Sequence, residues 1–293
     1  MDRFSQNFGK SLFDGLFIAD ITGVYDVYQN NLDVTLRESV QLPSNDPATL
    51  ISAMASVTEH LGFGLTVNLS YEHPYQLARR FASLDHLTRG RIGWNIVTGY
   101  LDSAERLIGQ SGLKDHDLRY EQAEEFLELS YKFWQDSWED DAVRKDKQQR
   151  IFTDPSKVHA IQHHGRFFQS EGVFQVAPSP QRTPVLFQAG ASPRGMQFAT
   201  RHAECVFIGG DRPEKIRQQV QRLRQLAQEQ GRDPARADRR GAEHGAQAGG
   251  RHRGARRPGS GPGAGRPGDA ARRPDPVATG GIPSGRPHRG RHD

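Results

Sequence analysis

Short apolar runs alternate with amphipathic helical patterns along most of the chain, from Phe13 to about Gln230. Repeated strand–helix units require right-handed crossovers, and these place successive strands parallel in one sheet. The alternation therefore predicts an α/β fold built on a parallel sheet. The five runs that we assign to strands are FDGLFIAD, LGFGLTVNLS, RIGWNIVTGY, TPVLFQAG and ECVFIGG.

Polar side chains stand at the C-terminal ends of four of these runs. A (β/α)8 barrel builds its site from such strand ends, because all of its parallel strands open at one mouth. The sequence therefore predicts a (β/α)8 barrel rather than an open sheet, with Asn95 and Thr98 facing the mouth. Taken singly, these residues have plainer explanations, such as a turn acid, a strand-favouring threonine or a hydrogen-bonded core amide. The strand-end residues are Asp20, Thr66 with Asn68, Asn95 with Thr98, and Gln188.

Two predicted helix starts have the residues of an anion site. In FQAGASPRG, Ser192 is placed to cap a helix that begins at Pro193, and Gly190 lets a ligand approach the backbone. A helix N-terminus offers unpaired N–H groups and the positive end of a dipole, which is a phosphate-binding arrangement. In HDLRY, His116 and Tyr120 are four residues apart on one helix face and could share one anion. Each motif alone is explained better by ordinary structure: a Ser-Pro helix start for the first, and an N-terminal histidine with a half-buried tyrosine for the second.

Two long connections interrupt the strand–helix pattern, at residues 20–43 and 138–180. We expect both on the side of the sheet where α/β proteins build their sites, and we predict a hairpin and a lid-like loop in 138–180. The three histidines there, His159, His163 and His164, lack a matching carboxylate or cysteine. They are therefore predicted to be solvated rather than metal ligands.

Cys205 is the only cysteine of the chain, so a disulfide framework is excluded and a reducing compartment fits. We predict that Cys205 is a small core residue rather than a nucleophile. No apolar stretch reaches the ~18 residues of a membrane span, and the N-terminus has no signal-peptide pattern. These features predict a cytoplasmic protein without membrane contact.

The last part of the chain differs abruptly in composition from the rest. Residues 232–293 contain 14 Arg against 6 acids, a balance of 14 − 6 = +8, so the first 231 residues carry 4 − 8 = −4 of the total of +4. A mildly acidic body argues against nucleic-acid binding. We predict a partial barrel over residues 1–234 and a disordered Arg/Gly/Pro-rich tail over 235–293. A frameshifted reading of a GC-rich gene explains this tail better than an arm that binds polyanions.

Together, several blocks of sequence resemble the nitrilotriacetate monooxygenase component A family, a branch of the bacterial-luciferase-like flavin monooxygenases. This branch includes dibenzothiophene sulfone and long-chain alkane monooxygenases. The resemblance runs from about residue 13 to residue 234. The blocks are LFIADITGVYDVY, LPSNDPATLISAMASVTEHLGFGLT, YEHPYQLARRFASLDHLTRGRIGWNIVTGYLDSAER, HDLRYEQAEEFLELSYKFW, SWEDDAV and SPQRTPVLFQAGASPRGMQFATRHAECVF.

The resemblance implies a luciferase-like TIM barrel with FMN in its mouth and no metal. It implies that a separate NAD(P)H:flavin reductase supplies reduced FMN by diffusion. The FMN then reacts with O2 and oxygenates a small organic substrate of the aminocarboxylate, sulfone or alkane class. No residue need act as a nucleophile, so no catalytic residue is assigned. By match to the family's motifs, the implied cofactor-binding residues are Asp20, Thr66, Asn95, His116, Tyr120 and Ser192.

The sequence also departs from the family pattern at both ends. The family begins with an earlier strand, and two further strand–helix units are expected after Pro234, where the Arg/Gly-rich tail stands. We therefore expect an incomplete barrel that retains five of eight strands, and a homo-oligomer only if the barrel is complete. Two alternatives stay open: an inactive fragment of such an enzyme, and a deazaflavin-dependent oxidoreductase on the same barrel.

Overall fold

The computed structural model describes residues 13–233 of the chain. The predictions for residues 1–12 and for the tail over 235–293 lie outside the described residues.

Five parallel strands form the central sheet, in an order that confirms the predicted strand–helix alternation. Each lies inside one of the five apolar runs predicted from the sequence. The longest pairing joins the second and third strands, in register from Phe63 opposite Ile92 to Asn68 opposite Val97. In spatial order the strands are β1 (Gly15–Ile18), β2 (Gly62–Asn68), β3 (Ile92–Val97), β8 (Val185–Gln188) and β9 (Cys205–Val206).

Two helices begin with a side-chain cap followed by proline. The Asp46 side chain accepts the N–H of Ala48 at 2.8 Å and caps the helix that begins at Pro47, and Ser192 caps the helix that begins at Pro193 by accepting the N–H of Gly195 at 3.0 Å. No helix within residues 13–233 is both long and apolar enough to cross a membrane. The helices are α1 (Asp33–Arg37), α2 (Pro47–Ser56), α3 (Pro74–Thr88), α4 (Asp102–Leu107), α5 (His116–Tyr131), α6 (Pro193–His202) and α7 (Pro213–Glu229), and a π-helical turn (Lys132–Asp136) continues α5.

One face of the sheet packs against the helices and forms the main core. Trp94 of β3 is fully buried, and its ring lies 5.7 Å from that of Phe81 on α3 and 6.0 Å from that of Phe126 on α5. Leu65 and Leu186 are in register with Trp94 on the neighbouring strands, so their side chains share this face. Full burial of each such side chain stabilises the fold by about 1.5–3 kcal/mol.

The opposite face carries glycines under aromatic rings. A Cβ at Gly64 would lie 2.8 Å from the Phe17 ring, and one at Gly93 would lie 2.6 Å from the Phe187 ring. Phe207 joins these rings, with centroids 4.5 Å from Phe17 and 5.9 Å from Phe187. Phe17 and Phe207 are nevertheless 39% and 46% exposed, so this face is apolar but only partly covered.

Cys205 is exposed, so the prediction of a core cysteine is wrong. It begins the two-residue edge strand β9 and is in register with Phe187. Residues in register on parallel strands point to the same face. Cys205 therefore shares the partly covered aromatic face, whereas the core lies on the other side of the sheet.

The segment 138–180 joins the C-terminal end of α5 to the start of β8, so its last residues return to the amino-terminal edge of the strands. There the Gln181 side chain donates to Asp85 at 2.6 Å and to the Ile92 carbonyl at 2.9 Å. Another part of the segment reaches the start of α3, where the rings of Phe168 and His73 are 5.8 Å apart. A hairpin predicted in this segment is confirmed, and the lid-like loop stays a prediction. The segment forms two antiparallel hairpins, β4 (Val143–Asp146) with β5 (Ile151–Thr153), and β6 (Ile161–His164) with β7 (Gln169–Gly172).

The second hairpin is fixed to α5 by Glu125. This carboxylate accepts the backbone N–H of Phe167 at 3.0 Å and of Phe168 at 2.7 Å, and it lies 3.3 Å from His163 Nε2. His163 is only 5% exposed, so the prediction that it is solvated is wrong. A Cβ at Gly165 would lie 1.9 Å from a Glu125 carboxylate oxygen, so a larger residue in this turn would displace that carboxylate.

Candidate functional site

The first turns of α5 and α6 meet and bring three predicted site residues together. Ser192 Oγ lies 3.3 Å from His116 Nε2. The rings of His116 and Tyr120 are 5.1 Å apart, as expected for residues four apart on one helix face. We call His116, Tyr120 and Ser192 the helix-start trio.

Packing against α6 fixes the orientation of Tyr120. Its ring is buried and lies 5.5 Å from that of Phe198. Its hydroxyl lies against the backbone of α6, because a Cβ built on Gly195 would be only 2.7 Å from it. The Arg194 guanidinium lies 6.0 Å from the Tyr120 ring centroid and 3.5 Å from Glu124. A side chain larger than glycine at position 195 would therefore displace the phenol.

The charges around the trio suit an anion at the start of α6 better than at the start of α5. Asp115 caps α5, accepting the N–H of Asp117 at 2.9 Å and of Leu118 at 3.3 Å. These two hydrogen bonds hold the pKa of the Asp115 carboxyl below its ordinary value, so it stays charged. α5 thus contributes the His116 ring and the Tyr120 hydroxyl, while α6 contributes its positive dipole end and the Ser192 hydroxyl.

A second pair of predicted residues lies on the strands themselves. Asn95 Nδ2 donates to Thr66 Oγ1 at 3.0 Å, and both residues are about 95% buried. Asn95 Oδ1 is buried and has no hydrogen-bond partner in the described part of the chain. An unsatisfied buried acceptor costs about 1–3 kcal/mol, so this atom indicates a place for a hydrogen-bond donor from a ligand or water.

Gln188, which we did not assign as a binding residue from the sequence, has the same property. It ends β8 and is 4% exposed, and its Oε1 is buried without a partner among residues 13–233. Its amide lies under Gly190, where a Cβ would be 2.8 Å from Gln188 Nε2. The signal in the sequence was a polar residue at a strand end, the same signal that selected Asn95.

Asp20 follows the strand next to the one that carries Thr66, but it lies apart from the helix-start trio. It follows β1, which is separated from β8 and the Ser192 turn by two strands. Three strand spacings amount to about 14 Å. Burial, and secondarily the charge of Asp46, raises the pKa of the Asp20 carboxyl above its ordinary value. A ligand that reached both Asp20 and the helix-start trio would therefore have to be long.

The connection after β1 lies against α4 beside this edge of the sheet. Ser103 Oγ donates to the Val24 carbonyl at 2.6 Å and accepts the Val24 N–H at 3.2 Å. Gly23 adopts φ +124° against Ala104, where a Cβ would be 2.8 Å from the Ala104 Cβ. The hydroxyls of Tyr25 and Tyr100 are 2.7 Å apart. Of the two connections predicted near the site, this one is at the carboxyl ends of the strands.

The chain matches a family described as luciferase-like monooxygenase over residues 13–245. The long-chain alkane monooxygenase of Geobacillus thermodenitrificans (strain NG80-2) is 52% identical over 232 residues, which are 79% of this chain and 53% of that protein. Nitrilotriacetate monooxygenase component A of Aminobacter aminovorans is 44% identical over 201 residues, 68% of this chain and 44% of that protein. The chain thus spans about half the length of the curated relatives it matches.

Solved structures agree with these sequence matches. A crystal structure of long-chain alkane monooxygenase superposes with a TM-score of 0.77 at 52% identity, covering 80% of this chain and 54% of that one. A riboflavin lyase, solved with modified FMN and riboflavin, superposes with a TM-score of 0.76 at 44% identity, covering 80% of this chain and 52% of the lyase.

Proposed function

Because this chain belongs to the luciferase-like monooxygenase family, we propose that it is the oxygenase of a two-component, FMN-dependent system. The family and the luciferase-like barrel fold predicted from the sequence are thereby confirmed. In the proposed reaction, a separate NAD(P)H:flavin reductase supplies reduced FMN, and O2 is used to oxygenate a small organic substrate. The name of the nitrilotriacetate relative, component A, supports a second component. The modified FMN held by the riboflavin lyase supports the cofactor.

The helix-start trio is the observation that carries the proposal for FMN. A phosphate needs hydrogen-bond donors and a positive field, and the trio offers both beside the α6 N-terminus. The unpartnered acceptor Asn95 Oδ1 fits an N–H or hydroxyl donor of a flavin, whereas Gln188 is in register with Ile96 on the other face of the sheet, under the turn that starts α6. The residues present therefore suit FMN, with Thr66 and Asn95 beside the strand ends and Asp20 further along the sheet.

In this proposal the residues of the chain bind the flavin and enclose it. Bound reduced FMN supplies the electrons that activate O2. His116, Tyr120 and Ser192 hold its phosphate, and the Thr66–Asn95 pair fixes the wall beside the strand ends. The connection docked on α4 limits the access of water at this edge. None of these roles requires a nucleophilic side chain.

Binding measurements with FMN and riboflavin test the assignment of the phosphate end. In Ser192→Ala and His116→Gln variants, we expect FMN affinity to fall by about tenfold each, since a hydrogen bond to a charged group contributes about 1.5–3 kcal/mol. Riboflavin lacks the phosphate, so its affinity should change little. Flavin fluorescence quenching measures both dissociation constants.

His86→Gln provides a matched control. His86 is an exposed histidine whose ring contacts the Ala177 carbonyl at 3.1 Å, away from the trio. Its replacement should leave both flavin affinities unchanged. Equal affinity of the unaltered chain for FMN and riboflavin would contradict the assignment.

A further inference from the structure

Arg119 lies on α5 between two members of the helix-start trio, His116 and Tyr120, but its side chain reaches the loop that follows β3. Its Nη1 donates to the Gly99 carbonyl in a short hydrogen bond and lies 3.4 Å from the Thr98 carbonyl. Its Nε is buried and has no partner within residues 13–233. Arg119 thus joins the helix of the trio to the end of β3.

The loop at Thr98 and Gly99 is also fixed from the side of β2. Ser70 Oγ donates to the Thr98 carbonyl at 3.1 Å, so this carbonyl receives hydrogen bonds from two elements. Gly99 adopts φ +81°, and a Cβ there would lie 2.9 Å from Asn68 Nδ2 and 3.3 Å from the Tyr71 hydroxyl. The loop is therefore confined between the turn after β2 and the Arg119 guanidinium.

These contacts connect the helix-start trio to the Thr66–Asn95 pair. Asn95, with its unpartnered Oδ1, is only three residues before Thr98 on the same strand end. His116 and Tyr120 are within one helical turn of Arg119. A shift of α5 relative to β3 would therefore change the separation between the trio and the Thr66–Asn95 pair, and the contacts of Arg119 Nη1 with the loop oppose that shift.

We propose that Arg119 is a positioning residue that sets this separation, so that the phosphate and the ring of FMN are held at the same time. The inference rests on the proposed function. A direct attraction between the Arg119 charge and the phosphate is a different role, and the two predict different results for lysine. Lysine keeps the charge, but its ammonium is a point charge on a flexible stem and does not reproduce the rigid guanidinium plane, whose Nη1 contacts both carbonyls.

The test compares Arg119→Gln and Arg119→Lys with the unaltered chain, measuring dissociation constants for FMN and riboflavin by fluorescence quenching. Positioning predicts that the preference for FMN over riboflavin falls by about tenfold in both variants, equivalent to about 1.4 kcal/mol. Riboflavin affinity should stay within about twofold, because riboflavin has no phosphate to hold and uses only the ring contacts.

Arg91→Gln is the matched control. Arg91 is a half-buried arginine at the opposite end of β3, and it donates to the Leu61 carbonyl at 2.7 Å and the Thr58 carbonyl at 2.9 Å. Its loss should lower thermal stability without changing the flavin preference. Amide hydrogen exchange without flavin supplies a second readout: Arg119→Gln should accelerate exchange at Gly99 and Tyr100, and Arg91→Gln should not.

Three results would overturn the inference. If Arg119→Lys keeps the preference of the unaltered chain for FMN over riboflavin, the effect of Arg119 is due to its charge. Equal weakening of FMN and riboflavin would assign Arg119 to general stability, and unchanged exchange at Gly99 would show that it does not hold the loop. A different result would contradict the proposed function: no preference of the unaltered chain for FMN over riboflavin. In that case the hydrogen-exchange measurement still decides whether Arg119 fixes the loop.

Discussion

Gly93 illustrates how single residues shape the partly covered face of the sheet. A Cβ at this position would lie 2.6 Å from the Phe187 ring and 3.0 Å from the Val185 carbonyl oxygen. The carbonyl belongs to the neighbouring strand of the ladder and cannot move without disturbing the pairing of β3 with β8. The ring therefore occupies space that any side chain at position 93 would need.

We expect Gly93→Ala to lower the free energy of unfolding by about 1–3 kcal/mol, the usual cost of overpacking. Gly64→Ala should cost less, because the ring it meets belongs to the partly exposed Phe17, which can move. Gly209→Ala is the control, since its Cβ would meet nothing within 4 Å. Urea denaturation measures all three, and an equal loss at positions 93 and 209 would contradict the packing argument.

Residue types at strand ends and helix starts predicted much of the candidate site, because those signals are local. Ser192 caps the helix that it was predicted to cap. The environment of His163 was not predictable in this way. Its burial depends on Glu125, which is 38 residues away in sequence. Cys205 was also misjudged, because its exposure depends on which face of an edge strand it occupies.

Among the elements, the hairpin of β6 and β7 depends on one carboxylate. Burial alone would raise the pKa of Glu125, but the N–H groups of Phe167 and Phe168 and the His163 ring outweigh it. The pKa is therefore lowered from its ordinary value of 4.5. A carboxyl with a lowered native pKa stabilises the fold above its unfolded-state pKa, and this contribution disappears as pH falls through the native value.

Glu125→Gln should therefore lower the free energy of unfolding by about 1–3 kcal/mol at neutral pH, the cost of weakening buried hydrogen bonds to a charged group. The difference from the unaltered chain should shrink as the pH falls below 4.5. Glu121→Gln is the control, because Glu121 pairs with Arg166 between the same two elements but is exposed. Its effect should stay below about 1 kcal/mol. A pH-independent difference for Glu125→Gln would contradict the role of its charge.

The order of the elements was predictable from sequence, but the course of the long connection 138–180 was not. Strand and helix periodicity placed all five parallel strands. The segment 138–180 was predicted on the side of the sheet that carries the site. Its end returns to the amino-terminal edge, as the contacts of Gln181 show, whereas Phe168 reaches His73 at the start of α3. These contacts join residues that are far apart in sequence, so local patterns do not reveal them.

At the scale of the whole molecule, the partly covered aromatic face bears on the proposed reaction. The chain spans about half the length of its curated relatives, and Phe17 and Phe207 remain substantially exposed in it. Oxygen activation on a flavin needs a site from which water is excluded. We therefore expect the binding of FMN and productive oxygenation to be separable in this chain.

We expect the 293-residue chain, supplied with a flavin reductase, NADH and O2, to release mainly H2O2 and little oxygenated product. The assay compares H2O2 with product over a panel of aminocarboxylates, sulfones and alkanes. The long-chain alkane monooxygenase relative serves as the coupled control on an alkane. Product formation equal to flavin oxidation in this chain would show that its aromatic face does not admit water to the flavin.

The position of Cys205 has a practical consequence. Register places Thr66, Asn95, Phe187 and Cys205 in one row across four strands, and Cys205 is exposed and is the only cysteine of the sequence. A thiol-reactive fluorophore would therefore attach at one defined point, on the face that carries the strand-end amide pair. The sequence therefore already contains a single attachment point for a spectroscopic reporter of whatever occupies that face.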